Sequence, residues 1–393
     1  MEYKNVDIII GYGKKARRAY GMNEIALVPG TCTLDPALID TSWSIGGIKR
    51  DIPILASAMD GVVDVKMANL LSDLGAIGVL NLEGIQTRYD DTTSIIEKIA
   101  SVGKTEFVEL MQKLYAEPIK PELIKKRIEN IKSSGSIAAV SLTPLGASKY
   151  GKIVADSGAD LLFVQATVVS TNHLTPESIS SLDLQQFCKD MPIPVVFGNC
   201  VTYEVALELM EAGAAGVLVG IGPGAACTSR GVLGIGVPQP TAIADCAAAR
   251  DEYYKRTGVY TPIIADGGII TGGDICKCIA CSADSVMIGS PVARAVEAPG
   301  RGYHWGMATP SPVLPRGTRI NVGTTGTIEE VLIGPAKLDD GTHNLLGALK
   351  TSMSTLGAQN IKEMQKVEVV IAPSLLTEAV SYTHLRAHET KWH

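Results

Sequence analysis

The stretch Pro194–Arg230, PVVFGNCVTYEVALELMEAGAAGVLVGIGPGAACTSR, combines two apolar runs of strand length, a helical segment and a glycine-rich loop. The runs Pro194–Asn199 and Gly216–Ile221 are apolar throughout instead of alternating, which is typical of parallel strands covered on both faces. Between them, Tyr203–Ala212 has the apolar spacing of a helix. The stretch therefore predicts a strand–helix–strand unit with both strands in one parallel sheet.

The same unit recurs along the chain. Each apolar run is followed by Gly, Ser, Asn or Asp, and further clear helical segments lie at Asp64–Leu74, Thr241–Arg256 and Gly272–Ala280. The eight runs are Ile52–Ser57, Ala76–Asn81, Ile137–Leu142, Leu161–Ala166, Pro194–Asn199, Gly216–Ile221, Pro262–Gly267 and Ser285–Ser290. Eight such units predict one α/β domain, a (β/α)8 TIM barrel. An open doubly wound sheet, with its site where the strand order reverses, is the alternative.

Three segments fall outside this pattern. Segment 82–136 is charged and helical and is too short for a second globular domain, so we expect helices added outside the barrel. Segment 298–327 follows the eighth strand, is rich in Gly, Pro and Arg, and is a candidate active-site loop. The end, 379–393, holds three of the six His without a partnering Cys or acidic cluster. We expect a disordered or extraneous tail there instead of a metal site.

Composition limits the classes of partner and compartment. A chain of 393 residues with 40 Gly and 5% aromatics suits one large α/β domain with many tight turns. A net charge of −6 without a basic stripe argues against a nucleic-acid polymer as partner. The start MEYKNVDIII predicts a strand and not a signal peptide, and no apolar stretch has the length of a membrane span. Eight Cys in a large chain suggest reduced thiols and a cytoplasmic setting.

Polar and glycine residues gather at the carboxyl end of the predicted strands, where a TIM barrel carries its active site. The loop 220–236 stands out among them, because Cys227 follows three glycines and is flanked by Thr228, Ser229 and Arg230. This setting favours the thiolate, the nucleophilic form of Cys. We therefore interpret Cys227 as a nucleophile and the other seven Cys as small buried residues.

Two glycine-containing turns after the last two predicted strands suggest a phosphate site. Asp266-Gly267-Gly268 and Gly289-Ser290 stand where barrels commonly hold a phosphate through backbone N–H groups. Asp266 has no cation near it in sequence, so a ribose hydroxyl is its expected partner. Two other motifs are weak: GYGKKARR (11–18) predicts a solvated basic segment, and Cys276, Cys278 and Cys281 predict a core-facing helix instead of a metal cluster.

Six motifs in order make the chain resemble the IMP dehydrogenase/GMP reductase family. They are SAMD (57–60), GIGPGAACTSR (220–230), ADGGI (265–269), IGS (288–290), WGM (305–307) and ALKTSM (348–353). The resemblance runs from about residue 6 to about residue 378, so we expect a barrel domain over 1–378. The regulatory CBS pair that many members insert after the second strand is absent, as in the family's short branch.

The resemblance implies covalent chemistry on a purine nucleotide. The Cys227 thiolate would attack C2 of IMP, hydride would pass to NAD, and water would hydrolyse the thioimidate to XMP, with Ser229 supplying the neighbouring hydroxyl. In the reductase direction the same Cys would displace ammonia from GMP, and NADPH would return the hydride. The family also implies homotetramers or octamers.

The resemblance further assigns binding residues by motif. It implies substrate contacts for Ser57, Met59, Asp266, Gly268, Gly289, Ser290, His304, Gly306 and Met307. It implies cofactor contacts for Gln165, Asn199 and Gly220, and K⁺ binding by the backbone carbonyls of Gly222, Gly224 and Cys227.

Departures from the family pattern leave the direction of reaction open. Gln165 replaces an Asp, Ala225 a Ser, Ser229 a Thr and His304 a Tyr. The flap after Gly-Met is shortened to ATPSPVLPRGTRI (308–320), which lacks both the dehydrogenase's Arg-Tyr pair and the reductase's Glu. Since Arg316 or Arg319 could activate water instead, we favour an IMP dehydrogenase over a GMP reductase. A non-catalytic purine-nucleotide sensor and another TIM-barrel oxidoreductase, such as a flavin enzyme, are the alternatives from other classes.

Overall fold

Five short strands precede the central sheet of the protein. The structure, a computed structural model, describes residues 8–103, 106–171, 182–227, 229–306 and 319–372. The five strands are β1 (Ile8–Gly11), β2 (Lys14–Ala16), β3 (Ile25–Leu27), β4 (Trp43–Ile45) and β5 (Ile48–Arg50). The predicted amino-terminal strand is present as β1, which pairs with β2 in an exposed hairpin that includes much of the basic segment 11–18.

Eight parallel strands close into a barrel in chain order, and the last, β13, pairs with the first, β6, through Met287 and Leu55. They are β6 (Ile54–Ala56), β7 (Ile77–Asn81), β8 (Ala139–Leu142), β9 (Leu161–Gln165), β10 (Val195–Cys200), β11 (Gly216–Val219), β12 (Ile263–Asp266) and β13 (Ser285–Ile288). Each lies within a predicted run or extends one residue beyond it. The predicted TIM barrel is therefore confirmed, and closure rules out the open sheet.

Thirteen helices are seen in the described residues, and three further strands follow the barrel. The helices are α1 (Val65–Asp73), α2 (Thr92–Ser101), α3 (Phe107–Tyr115), α4 (Pro121–Lys132), α5 (Pro144–Asp156), α6 (Leu184–Asp190), α7 (Tyr203–Glu211), α8 (Gln239–Thr257), α9 (Gly272–Ala280), α10 (Ser290–Ala293), α11 (Ile328–Leu332), α12 (Leu345–Leu356) and α13 (Ile361–Met364). The strands are β14 (Tyr303–Trp305), β15 (Arg319–Asn321) and β16 (Val369–Ile371). None of these helices is long and apolar enough to cross a bilayer.

The barrel interior is a packed core that stops below the site. Inward side chains such as Phe163, Leu218 and Met287 fill it, and Trp43 and Ile45 of the β4–β5 hairpin join the same cluster from the amino ends of the strands. A larger cluster lies between the strands and the surrounding helices. Because the interior is filled, the carboxyl ends of the strands are left to carry a ligand.

Segment 82–136 contains two kinds of helix. Helix α4 packs between α1 and α5 and so belongs to the ring around the barrel. Helices α2 and α3 instead form a small core of their own, and Trp305 of β14 is part of it. The segment is therefore an added helical pair, α2–α3, followed by a regular barrel helix.

The predicted loop 298–327 is more regular than expected. Strands β14 and β15 pair antiparallel, with Trp305 opposite Arg319 and His304 opposite Ile320. Residues 307–318, between the strands, and the predicted tail 379–393 lie outside the described residues.

The cysteine prediction is confirmed in part. Cys276 and Cys278 are buried in the main core, and burial raises the pKa of the Cys276 thiol to about 11. Cys188 and Cys281 are partly buried. Cys32 was expected to be buried but is exposed, because it lies in the irregular stretch between β3 and β4 and not on a barrel element.

A capping box fixes where α9 begins after the turn Asp266-Gly267-Gly268. Thr271 Oγ1 accepts the N–H of Asp274, and Asp274 Oδ2 accepts the N–H groups of Ile270 and Thr271, both at 3.0 Å. We expect Asp274→Ala to lower the free energy of unfolding by about 1 kcal/mol, because the half-buried N–H of Thr271 and the exposed N–H of Ile270 lose their acceptor. Urea denaturation measures this. Asp156→Ala, which removes only an exposed pair with Lys152, should cost less than about 0.5 kcal/mol. Equal losses would contradict the assignment.

Candidate active site

A cavity of about 790 Å³ opens at the carboxyl ends of the barrel strands. Its walls come from the ends of β6 and of β8 to β13, and from β14. The structure brings together here the following predicted site residues: Ser57, Met59, Gln165, Asn199, Gly220, Gly222, Gly224, Cys227, Ser229, Asp266, Gly268, Gly289, Ser290, His304 and Gly306. Residues more than two hundred positions apart thus share one pocket because parallel strands of a closed barrel all end at the same face.

The Cys227 loop is held open by glycines. A Cβ on Gly220 would lie 2.0 Å from the carbonyl oxygen of Asp266, and one on Gly222 would lie 2.4 Å from Cγ of Arg230. Both positions also have positive φ, at 151° and 87°. The Cys227 Sγ lies 3.4 Å from Ser229 Oγ at the wall of the cavity. The loop therefore presents a thiol and a hydroxyl side by side to whatever occupies the cavity.

Asp266 forms the acidic wall of the cavity. Its Oδ2 accepts a hydrogen bond from Asn199 Nδ2 at 2.8 Å, so Asn199, expected to contact the cofactor, here orients Asp266. Burial raises the pKa of the Asp266 carboxyl to about 6, although the bond from Asn199 opposes this. The carboxylate is thus ionised near neutral pH and can accept hydrogen bonds from hydroxyl groups.

His304 forms a pair with Ser290 in the cavity wall that follows β13. Its Nε2 lies 2.9 Å from Ser290 Oγ, and its Nδ1 is buried without a hydrogen-bond partner in the described part of the chain. Burial lowers the pKa of His304 to about 4, so the imidazole is neutral near neutral pH. A neutral ring can donate or accept one further hydrogen bond at Nδ1, and no group in the described part of the chain uses it.

Gln165, the replacement for a family Asp, is anchored at the floor. Its Oε1 accepts from Ser141 Oγ at 2.8 Å, while its Nε2 faces the sulfur of Met287 at 3.9 Å. Since sulfur is a weak acceptor, the amide N–H is the group with capacity left for a ligand.

Sequence analysis missed two supporting contacts. Thr143, at the start of α5, lines the cavity. Its backbone N–H and its hydroxyl both donate to the Glu83 carboxylate. Gln239 Nε2 donates to the backbone carbonyls of Val219 and Asp266, at 2.7 and 3.1 Å, and so joins two strand ends. The Thr-Pro start of α5 was a readable helix signal, whereas nothing near Gln239 in sequence indicates its partners.

The expected role of Arg319 needs correction. Its guanidinium donates to the carbonyls of Ile99, Ala100 and Val102 at the end of α2 and does not line the cavity. A side chain whose donors are used in this way is not available to activate water. Arg316 and Met307 lie outside the described residues, and Arg230 donates to the carbonyl of Val237 within its own loop.

Comparison with known proteins agrees with this geometry. The family model described as the IMP dehydrogenase/GMP reductase domain matches residues 19–309. An uncharacterized oxidoreductase of Mycolicibacterium smegmatis is 38% identical over 92% of this chain and 99% of its own length. An inosine-5'-monophosphate dehydrogenase of Cryptosporidium parvum is 28% identical over 90% of this chain and 92% of its own. An IMP dehydrogenase/GMP reductase-like protein from Corynebacterium glutamicum superposes with a TM-score of 0.87 at 35% identity, covering 93% of this chain and 97% of that one.

Proposed function

The chain belongs to the IMP dehydrogenase/GMP reductase family, and we propose that it is a nicotinamide-dependent oxidoreductase that binds a purine mononucleotide covalently through Cys227. The observation that carries the proposal is the Cys227–Ser229 pair, 3.4 Å apart, in one cavity with Asp266 and the Ser290–His304 pair. A thiol, a carboxylate for a ribose and a phosphate turn are the groups that this chemistry requires.

Each wall of the cavity has a separate task in this proposal. Asp266 accepts hydrogen bonds from the ribose hydroxyls, and the backbone N–H groups of Gly268, Gly289 and Ser290 hold the phosphate. Met59, Gly306 and the cavity wall near His304 contact the purine base. The Cys227 sulfur would then add to C2 across the C2=N3 double bond of the purine, whose electron pair moves to N3, and the thiol proton would leave through the Ser229 hydroxyl.

The nicotinamide cofactor fits the free donor at the floor of the cavity. Gln165 Nε2, Thr143 and Thr167 are polar groups of the described lining, and they would hold it. When bound, the cofactor supplies hydride chemistry. K⁺ binding and self-association stay predictions. Of the carbonyls assigned to K⁺, that of Gly224 already accepts the N–H of Cys227 at 2.9 Å.

The oxidation of IMP to XMP with NAD is the first proposal for the direction. Named relatives such as the Cryptosporidium parvum protein are dehydrogenases, and an adduct between Cys227 and C2 would serve either direction. Hydrolysis of the adduct needs an activated water, and no Lys or Arg of the described chain lines the cavity. With Arg319 engaged at α2, this role falls to Arg316.

The reduction of GMP to IMP and ammonia is the second candidate. The engagement of Arg319 favours it, because this direction releases ammonia from C2 and needs no attacking water. The purified protein tests both directions through the absorbance of the reduced nicotinamide. A rise with IMP and NAD, with XMP formed, supports the dehydrogenase; a fall with GMP and NADPH, with ammonia released, supports the reductase.

Arg316→Ala separates the two further. For a dehydrogenase we expect its steady-state rate to fall about 10²-fold or more, because water activation is lost, while the first hydride transfer continues as a burst. The control is Arg256→Ala, which removes an exposed ion pair on α8. Wild-type hydrolysis of the adduct by Arg316→Ala would show that this Arg does not activate water.

A further inference from the structure

The β14–β15 hairpin carries His304 and Gly306 to the cavity. The end of the hairpin nearest to segment 307–318 is held from outside the barrel. Trp305 and Arg319 stand opposite each other at that end, one on each strand. Neither side chain lines the cavity. Both instead contact the added pair α2–α3, which packs on the outer side of the hairpin.

Trp305 is tied to α3 by a buried chain of hydrogen bonds. Its indole Nε1 donates to Tyr115 Oη at 2.8 Å, and Tyr115 Oη donates to Asp60 Oδ2. Trp305 and Asp60 are 1% exposed and Tyr115 is 8% exposed. Buried polar groups of this kind have no water to replace a lost partner, so the three positions are coupled.

Asp60 connects the same chain to the substrate wall. It follows Met59 directly, and the next residue, Gly61, lies so close to β14 that a Cβ there would be 2.7 Å from the carbonyl oxygen of Tyr303. The Gly61 carbonyl also accepts the N–H of Gly300 at 3.0 Å. Loop 57–61 and β14 therefore pack directly against each other, and Tyr115 contacts both through Asp60 and Trp305.

Arg319 fixes the other strand of the hairpin. Besides its bonds to the end of α2, its guanidinium lies over the rings of Phe107 and Tyr303, at 5.0 and 4.8 Å from their centroids. A planar cation between two rings and three carbonyls has a single well-defined position.

We propose that α2–α3 is a positioning element for the active site, with Tyr115 as its central positioning residue. Tyr115 acts through Trp305 and Asp60 to set where His304, Gly306 and Met59 stand against the nucleotide. The inference rests on the proposed function, since it requires the cavity to bind a purine nucleotide. On this inference the added helices hold the β14–β15 hairpin in place, which the barrel strands and helices do not do by themselves.

The test compares Tyr115→Phe with Tyr89→Phe. Tyr89 packs against the same small core, and its Oη donates to the carbonyl of Leu114 in α3 at 3.0 Å. Tyr89→Phe therefore removes one hydroxyl beside α3 but none of the hydrogen bonds between α3 and the hairpin. The readout is protection of Cys227 from iodoacetamide by IMP or GMP, followed by peptide mass spectrometry, with exposed Cys32 as internal reference. Unlike turnover, it needs no cofactor.

We expect Tyr115→Phe to need about tenfold more nucleotide for half protection, and Tyr89→Phe to stay within about twofold of wild type. The rate of Cys227 alkylation without nucleotide should be unchanged in both. If Tyr115→Phe does not fold, Trp305→Phe removes the same hydrogen bond from the other side. Tyr115→Phe also loses the bond to Asp60, but the bond between Trp305 and Tyr115 is lost in either single variant. Where both fold, the double variant should therefore be no worse than the poorer single variant.

Three outcomes are distinguishable. A selective loss in Tyr115→Phe supports the inference. Protection in wild type with equal values for Tyr115→Phe and Tyr89→Phe overturns the inference and leaves the proposed function standing. No protection of wild-type Cys227 by either nucleotide overturns the proposed function, and the inference with it.

Discussion

Replacing Cys227 with Ser is expected to lower turnover at least about 10³-fold while nucleotide binding stays within about threefold of wild type. Serine keeps the size and the hydrogen-bonding position beside Ser229. Its hydroxyl, however, is far less acidic than a thiol, and no described side chain within hydrogen-bond reach can serve as a strong base for it. Without the covalent bond to C2, neither hydride transfer nor loss of ammonia has its intermediate, so both directions fail together.

Cys32→Ser is the matched control, because Cys32 is an exposed thiol away from the cavity. Turnover and nucleotide affinity are measured for both variants, in both directions of reaction. A wild-type protein that binds nucleotide but turns over nothing, with Cys227→Ser indistinguishable from it, would establish the non-catalytic sensor. A yellow purified protein would instead favour a flavin enzyme of the same fold.

The barrel, and the place of many residues around its cavity, were readable from the sequence because both depend on local patterns. Parallel strands covered on two faces are apolar along most of their length, as Leu161–Gln165 and Val195–Cys200 are apart from Gln165 and Asn199 near their carboxyl ends. Each such run ends where the chain turns to a helix, and closure of the barrel brings all those ends together. A residue such as Asp266 could thus be placed in the site from its position after a strand alone.

The predictions failed for residues whose contacts lie far away in sequence. Nothing around Arg319 in sequence indicates that it stacks on Phe107 and caps α2, more than two hundred residues away. Tyr115 and Trp305 are likewise ordinary core residues in their own segments. Their roles arise only when α2–α3 packs against β14. The same packing engages Arg319, which is why its position in a short loop alone suggested a catalytic role.

Replacing Asp266 with Asn should raise the nucleotide KM about 10²- to 10³-fold and remove one pH dependence. The carboxylate is the group that we propose for the ribose hydroxyls, and hydrogen bonds to a charged acceptor are worth about 1.5–3 kcal/mol each. An amide keeps the shape but offers one acceptor oxygen and turns an N–H₂ toward Asn199 Nδ2 or the ligand. A 2′,3′-dideoxy nucleotide lacks the ribose hydroxyls that we propose for Asp266. Wild type should bind it much more weakly than the ordinary nucleotide, whereas Asp266→Asn should bind the two with similar affinity.

The pH dependence follows from the burial of Asp266, which raises the pKa of its carboxyl to about 6. The hydroxyls bind the ionised form, so nucleotide affinity is constant above this pKa. Below it, a proton must first leave, and affinity should fall by up to about tenfold per pH unit. The nucleotide phosphate also titrates near pH 6, but it does so equally with Asp266→Asn. The difference between the two profiles therefore isolates Asp266, and profiles that run parallel throughout would show that its carboxylate does not bind the ribose.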